Sequence, residues 1–342
     1  MSPEQILKRM DPSSPKKSNF CRCAVHLYKD YEHYLQEHGY IDFSDMIYDA
    51  IDAIKDQPDT YVTRYDHVLV DEYQDISKER VTLLKQLVNG KSKTKLFCVG
   101  DDWQSIYSFS GSDVRFILEF ANDFSEPAII KMGTNYRCPC PIVKAADHIM
   151  SYCQNKVSKT IRAKSFDGSK PFLHVLDTSK NHFTAETAIS KYAYKMIANL
   201  IDRDKVRPEN IMVVTRFRRY LEKTEILCKQ NSIPCGDHQS GRSGVKLETV
   251  HGTKGMESDY VLVLGIVRGN WGFPPDMKDS ELLEPVRMKT ASDADEERRL
   301  FCVALTRCVK EVHLLTIAGD ESRFIDELRN HVEIRKHPRF SC

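Results

Sequence analysis

The chemistry in this chain starts at VLVDEYQD (68–75), where an apolar run ends in two adjacent carboxylates. If the run is a strand, Asp71 and Glu72 stand at its carboxyl end, where open α/β sheets gather their ligands. One carboxylate there can hold a divalent cation, and the next can orient or deprotonate a water. A second apolar run, LFCVGD (96–101), leads straight into DWQSIYSFSG (102–111). Gln104 could reach the same ligand as the two acids, while Trp103, Tyr107 and Phe109 supply flat faces for stacking. Plainer readings stay open: an acid pair where a strand meets solvent, and aromatics that belong to a core.

Those residues need elements to position them. AVHLYKDYEHYLQEHGY (24–40) and IDFSDMIYDAIDAIK (41–55) carry apolar residues at three- and four-residue spacing and predict helices. Ser44 stands where an N-cap would be, with Asp45 in the first turn. Short β-branched runs follow: HVLVDE (67–72), LFCVGD, FLHVLD (172–177), IMVVTR (211–216), VKLETV (245–250), YVLVLGIV (260–267) and EVHLLTI (311–317). Runs apolar throughout, alternating with helical stretches, predict parallel strands buried on both faces and an α/β class. Pro127 and Gly133 mark a boundary near 125–135, residues 268–292 read as an inserted loop, and the closing HPRFSC reads as frayed.

Composition narrows the class. Fifty Lys and Arg against 49 Asp and Glu leave a net charge of +1 on 342 residues, which argues against binding nucleic acid by bulk charge. With 41% apolar residues there is enough for a sizeable core and two domains. No run reaches the ~20 apolar residues of a membrane span, and residues 1–17 lack the apolar stretch of a signal peptide. Eleven scattered cysteines read as reduced thiols in a cytoplasmic protein. CRC (21–23) and CPC (138–140) are too tightly spaced for a Cys₄ zinc site.

The ordered series VDEYQD (70–75), VGDDWQSIYSFSG (99–111), TNYRC (134–138), ETVHGTKGMESDYVLVLG (248–265) and DEERRLFCVALTRCVKE (295–311) resembles motifs II to VI of the UvrD/Rep superfamily 1 DNA helicases. DEYQDIS, Ser110 and NWGFP (270–274) look most like the bacterial DNA helicase IV branch. The resemblance implies two RecA-like domains with parallel sheets and a nucleotide cleft between them. It divides the chain into a helical 1B-like remnant (1–60), the rest of the first RecA-like domain (61–130), a second such domain (131–330) and a tail (331–342). It implies ATP and Mg²⁺ as cofactors, and single-stranded DNA and single-strand/duplex junctions as partners, with DNA repair as the setting.

Carried over by position, Asp71 and Glu72 become the Mg²⁺-binding and water-activating acids, and Gln104 the γ-phosphate sensor. Arg137 and Arg307 become arginine fingers. The alternative for both is an ordinary salt bridge, with Glu297 as a candidate partner. Gly255 and Glu257 complete the ATP site, Glu257 at the ribose. Trp103, Tyr107, Phe109, Thr249, His251 and Lys254 fall on DNA.

The family's Walker A loop, GxxxxGK[ST], is absent, as are the upstream glutamine motif and motif Ia. GKS at 90–92 does not supply it, because the required first glycine is Lys85. The first sheet should therefore have an unpaired edge, LFCVGD being the expected strand, open to an N-terminal polypeptide carrying the loop. The spacing between TNYRC and ETVHGTKG leaves no room for a large 2B domain, and the residues after 311 none for a nuclease domain. Two functions remain: an ATP-dependent 3′→5′ helicase present as a fragment or split form, or a non-catalytic DNA-binding or regulatory module.

Overall fold

The computed structural model describes residues 3–10, 13–88, 93–178, 184–236, 243–277, 280–283, 285–286 and 293–337. The GKS segment falls outside them, as do much of 278–292 and the residues after His337. The chain divides into two compact units: residues 1–101, 108–127 and 278–291 form the first, and residues 102–107, 128–277 and 292–342 the second.

The first unit opens with a short helix over Pro3–Lys8, followed by helices over Pro15–His38 and Phe43–Asp56. The cap of the last of these lies two residues earlier than the N-cap expected at Ser44. Asp42 is the cap: its carboxylate accepts Ser44 N at 2.7 Å and Asp45 N at 2.9 Å, and Asp45 returns a carboxylate to Asp42 N. That reciprocal pair satisfies donors the first turn leaves open.

Strands β1 (His67–Val70) and β2 (Lys95–Cys98) pair in parallel, with Leu69 opposite Phe97. Val68, Val70, Leu96 and Cys98 pack against Tyr73, Val81 and Leu84. The opposite face is bare, Leu69 being 72% and Phe97 60% exposed. Burial on both faces, expected from the apolar runs, does not hold here. Among the described residues this sheet has two strands, and its apolar cluster lies against one face.

The second unit holds β3 (Thr134–Asn135) and β4 (Arg162–Ala163), a short parallel pair. Its main sheet is built from β5 (Phe172–Leu176), β6 (Ile211–Thr215), β7 (Cys235–Gly236), β8 (Val245–Thr249), β9 (Ser258–Leu264), β10 (Cys308–Ile317) and β11 (Glu333–His337). The order is β11-β5-β10-β9-β6-β8-β7, and every pair is parallel. Here the expected burial on both faces is met. Met212, Val214, Val261, Val263, Val312 and Leu314 join one apolar cluster; Ile211, Val213, Leu262, Leu264, Leu315 and Ile317 join the other. A period of two lies hidden beneath continuously apolar runs. Strand β11 occupies part of the stretch read as a tail, pairing with β5 from Glu333 to His337. Among the described residues no helix is long and apolar enough to cross a membrane.

That edge is joined through imidazoles. The ring nitrogens of His174 lie 3.2 Å from His337 and 3.1 Å from His313, and the Tyr192 hydroxyl is 2.9 Å from His174 and from His337. Burial, then the nearby His313, His337 and Arg335, pushes His174 down to about 3. The unfolded chain therefore takes up a proton below pH ~6.5 that the folded chain refuses, so stability falls with pH between ~6.5 and the folded value. We predict that this group alone lowers the unfolding free energy by about 2 kcal/mol between pH 7 and pH 5. Denaturant unfolding across that range should show a pH slope that His174→Phe reduces.

Candidate functional site

In the first unit, Asp71 and Glu72 follow β1 directly and are exposed. The main chain turns at Glu72 with φ of 51°, a left-handed conformation uncommon for a residue with a Cβ. Asp71 Oδ1 accepts the Glu72 amide at 2.8 Å. Gln74, fully buried, donates from Nε2 to Glu72 Oε2 at 2.5 Å and accepts the Asp101 amide on Oε1 at 2.9 Å. It thereby ties the carboxyl end of β1 to that of β2. Sequence reasoning passed Gln74 over; the available signal was a polar residue between Tyr73 and Ile76, both of which are buried.

A cavity of about 350 Å³ lies beside the acids, lined by Asp71, Glu72, Asp75 and Arg80 among others. An exposed carboxylate at a strand end is the hard oxygen donor that Mg²⁺ takes, so Asp71 fits that ion. Close approach of β2 to Gln74 requires Gly100. A Cβ there would stand 2.8 Å from Gln74 Oε1 and 3.1 Å from its main-chain nitrogen. Gly100→Ala should accordingly cost about 1–3 kcal/mol by overpacking, measured as a lowered denaturation midpoint at unchanged helix content.

In the second unit the structure brings together Gln104, Tyr107, His251, Lys254 and Arg307. Arg307 ends the Asp293–Leu305 helix region just before β10 and is 2% exposed. Its guanidinium donates to the carbonyls of Val303 (3.1 Å), Met256 (3.3 Å) and Thr253 (3.5 Å), and to Gln104 Oε1 (3.4 Å). Lys254 Nζ donates to the Gln104 carbonyl at 3.1 Å and lies 5.2 Å above the Tyr107 ring. Tyr107 donates its hydroxyl to the His251 carbonyl at 2.9 Å. Burial, followed by the charge of Arg216, pushes His251 down to about 4. It is therefore neutral near pH 7 and offers no cation to a phosphate. Thr249, at the end of β8, accepts the Gly252 amide on Oγ1 at 3.3 Å.

The remaining expected site residues divide. Arg137 donates from Nε to Glu257 Oε2 at 2.6 Å, so two residues expected on a nucleotide are here bonded to each other. Glu297 pairs with Arg216 at 2.9 Å. Gly255 has φ of +78°, a conformation that favours glycine. Phe109 is 73% exposed and belongs to the first unit.

Trp103 departs from expectation. It is 6% exposed, packs with Ala146, Met150, Cys153 and Cys302, and has Lys159 Nζ 4.7 Å from its ring centroid. Its faces are occupied by the core, which leaves a base nowhere to stack. The neighbouring Asp102, also passed over, is 2% exposed and accepts Val157 N at 2.8 Å and Lys159 Nζ at 2.7 Å. Removing one partner of a buried pair strands the other charge. Lys159→Met is therefore expected to destabilise the second unit by about 3 kcal/mol, read from its unfolding midpoint.

Fold and residues together define a parallel α/β protein with acids, glutamine, buried arginine and aromatic–lysine contacts at the ends of its strands. The profile of the UvrD/REP helicase N-terminal domain matches residues 1–125, and that of the UvrD-like helicase C-terminal domain matches residues 236–318. The chain belongs to the UvrD-like helicase family. It is 29% identical to DNA helicase IV of Escherichia coli over 306 residues, covering 89% of this chain and 41% of that protein. It is 34% identical to the ATP-dependent DNA helicase PcrA of Staphylococcus epidermidis over 169 residues, 48% of this chain and 23% of that one. Against DNA helicase II of Rickettsia typhi it is 29% identical over 198 residues, 57% of this chain and 29% of that one. The chain thus spans less than half the length of each of these relatives.

Proposed function

We propose that this chain carries most of the motor residues of an ATP-dependent 3′→5′ DNA helicase, moving on single-stranded DNA and opening single-strand/duplex junctions. The observation that supports this best is the hub at Gln104. Its side chain accepts Arg307, and its main chain accepts Lys254, which also lies over Tyr107. One residue thus touches both an arginine suited to phosphate charge and a lysine–aromatic pair suited to a nucleic-acid strand.

In this reading Asp71 holds Mg²⁺, which when bound offsets negative charge on the phosphates of ATP. Glu72, fixed by Gln74, orients the attacking water and takes its proton. Arg137 and Arg307 stabilise charge on the γ-phosphate, Gly255 lets the main chain approach the nucleotide, and Glu257 meets the ribose. Thr249, His251, Lys254, Tyr107 and Phe109 follow the strand. A cytoplasmic place in DNA repair accompanies this reading.

The sequence contains no GxxxxGK[ST], so in this reading the phosphate-binding loop is supplied from outside these 342 residues. The bare face of the β1–β2 pair supports such a complement, because parallel sheets are ordinarily covered on both sides. The same missing loop favours a second reading for the chain alone, a DNA-binding or regulatory module without turnover. Single-strand-stimulated ATPase assays decide between them. We expect background turnover for the 342-residue chain alone. Joined to a segment bearing the loop, it should gain turnover that Glu72→Gln lowers by roughly a hundredfold or more. Background rates in the joined form, with DNA binding intact, would establish the module instead.

A further inference from the structure

Trp271 belongs to NWGFP (270–274), a motif to which the proposed mechanism assigns no task. The indole is 51% exposed, yet it is held in place. Gly272 N donates to the Gly269 carbonyl at 3.0 Å, Asp276 N to the same oxygen at 3.0 Å, and Gly269 N to Asp276 Oδ2 at 2.9 Å. Gly272 has no room for a Cβ, which would fall on the Val267 carbonyl. Phe273 anchors the turn, fully buried against Phe301 and Phe324.

The ring's own contacts fix it further. Phe217 meets Trp271 edge-on, with centroids 5.3 Å apart at 81°. The Arg219 guanidinium lies 5.3 Å from the indole centroid and is pinned by Glu186 at 2.5 and 2.9 Å. On the other side Arg216 sits 4.9 Å from the Phe217 ring and is pinned by Glu297. An indole ordered this thoroughly while half of it stays in water is better explained by a ligand than by stability.

Strand register indicates which ligand. β6 and β8 pair in parallel with Thr215 opposite Thr249. Phe217 lies two residues beyond the first and His251 two beyond the second, and the charge of Arg216 is felt at His251. The aromatic pair therefore emerges at the same edge of the sheet as the Thr249–Lys254 segment. We propose that Trp271, braced by Phe217 and Arg219, is a stacking platform for an unpaired base of a DNA strand that the Thr249–Lys254 segment also grips. This rests on the DNA-binding reading above.

The chain has two tryptophans, and Trp103 is buried, so a change in indole emission on adding DNA reports mainly on Trp271. Oligo(dT) should quench the wild-type emission. Trp271→Ala should lose the quench and bind oligo(dT) about tenfold more weakly. Its salt dependence should be unchanged, since no phosphate contact is removed. Trp271→Phe should bind within a few-fold of wild type, and all variants should melt as wild type does. Wild-type binding without quench, or equal affinity for Trp271→Ala, would overturn the platform while leaving the DNA reading intact. Failure of the wild-type chain to bind oligo(dT) at all would remove both.

Discussion

Every strand of the seven-stranded sheet runs the same way, and the rest of the second unit follows from that constraint. Parallel neighbours need long crossovers, which cover both faces and admit polar groups there only where they are paired, as His174 and His313 are. Chemistry is left with the strand ends. Arg216 and Phe217 follow β6, His251 and Lys254 follow β8, and Trp271 lies beyond β9, so residues far apart in sequence leave the sheet at one edge. The alternating assignment of β6, β9 and β10 residues to two apolar clusters is what keeps that edge in register.

Two arginines with similar expected duties are handled in opposite ways. Arg307 is buried, and its guanidinium donates to three carbonyls and an amide oxygen. Carbonyl dipoles satisfy the guanidinium without cancelling its charge, so that charge can still act on an incoming anion. Arg137 is one-third exposed and paired with a more exposed Glu257. A pair in that setting is screened and weak, so ligand oxygens can displace the carboxylate at little cost. The buried arginine is positioned in advance, whereas the exposed one is exchangeable.

The first unit has a weaker architecture. Two short strands with one packed face make a marginal sheet by themselves. Its order at the carboxyl ends of the strands depends on Gln74, which fills a buried position with polar atoms and spends both of them there. Buried amides of this kind specify geometry because any other arrangement leaves a donor or acceptor unmet. The left-handed Glu72 is held by that same bond.

Much of the fold was legible in the chain because apolar runs of β-branched residues alternate with helical spacing, and seven such runs became strands where they were expected. The ordered motifs likewise picked out Asp71, Glu72, Gln104, Arg137 and Arg307, since residue type and spacing survive in one dimension. Side-chain surroundings do not. Nothing in DWQSIY separates a buried Trp103 from a half-buried Tyr107; contacts with Cys302 and Lys159, far along the chain, decided that. Gln74 and Asp102 were invisible for the same reason: the Asp101 amide that Gln74 accepts, and the Val157 amide and Lys159 ammonium that Asp102 accepts, are brought near by folding. The sequence by itself determined the class of fold and the set of candidate site residues. Tertiary structure alone decided which of them are buried, which are paired and which face water, because burial and pairing depend on neighbours that the linear order does not contain.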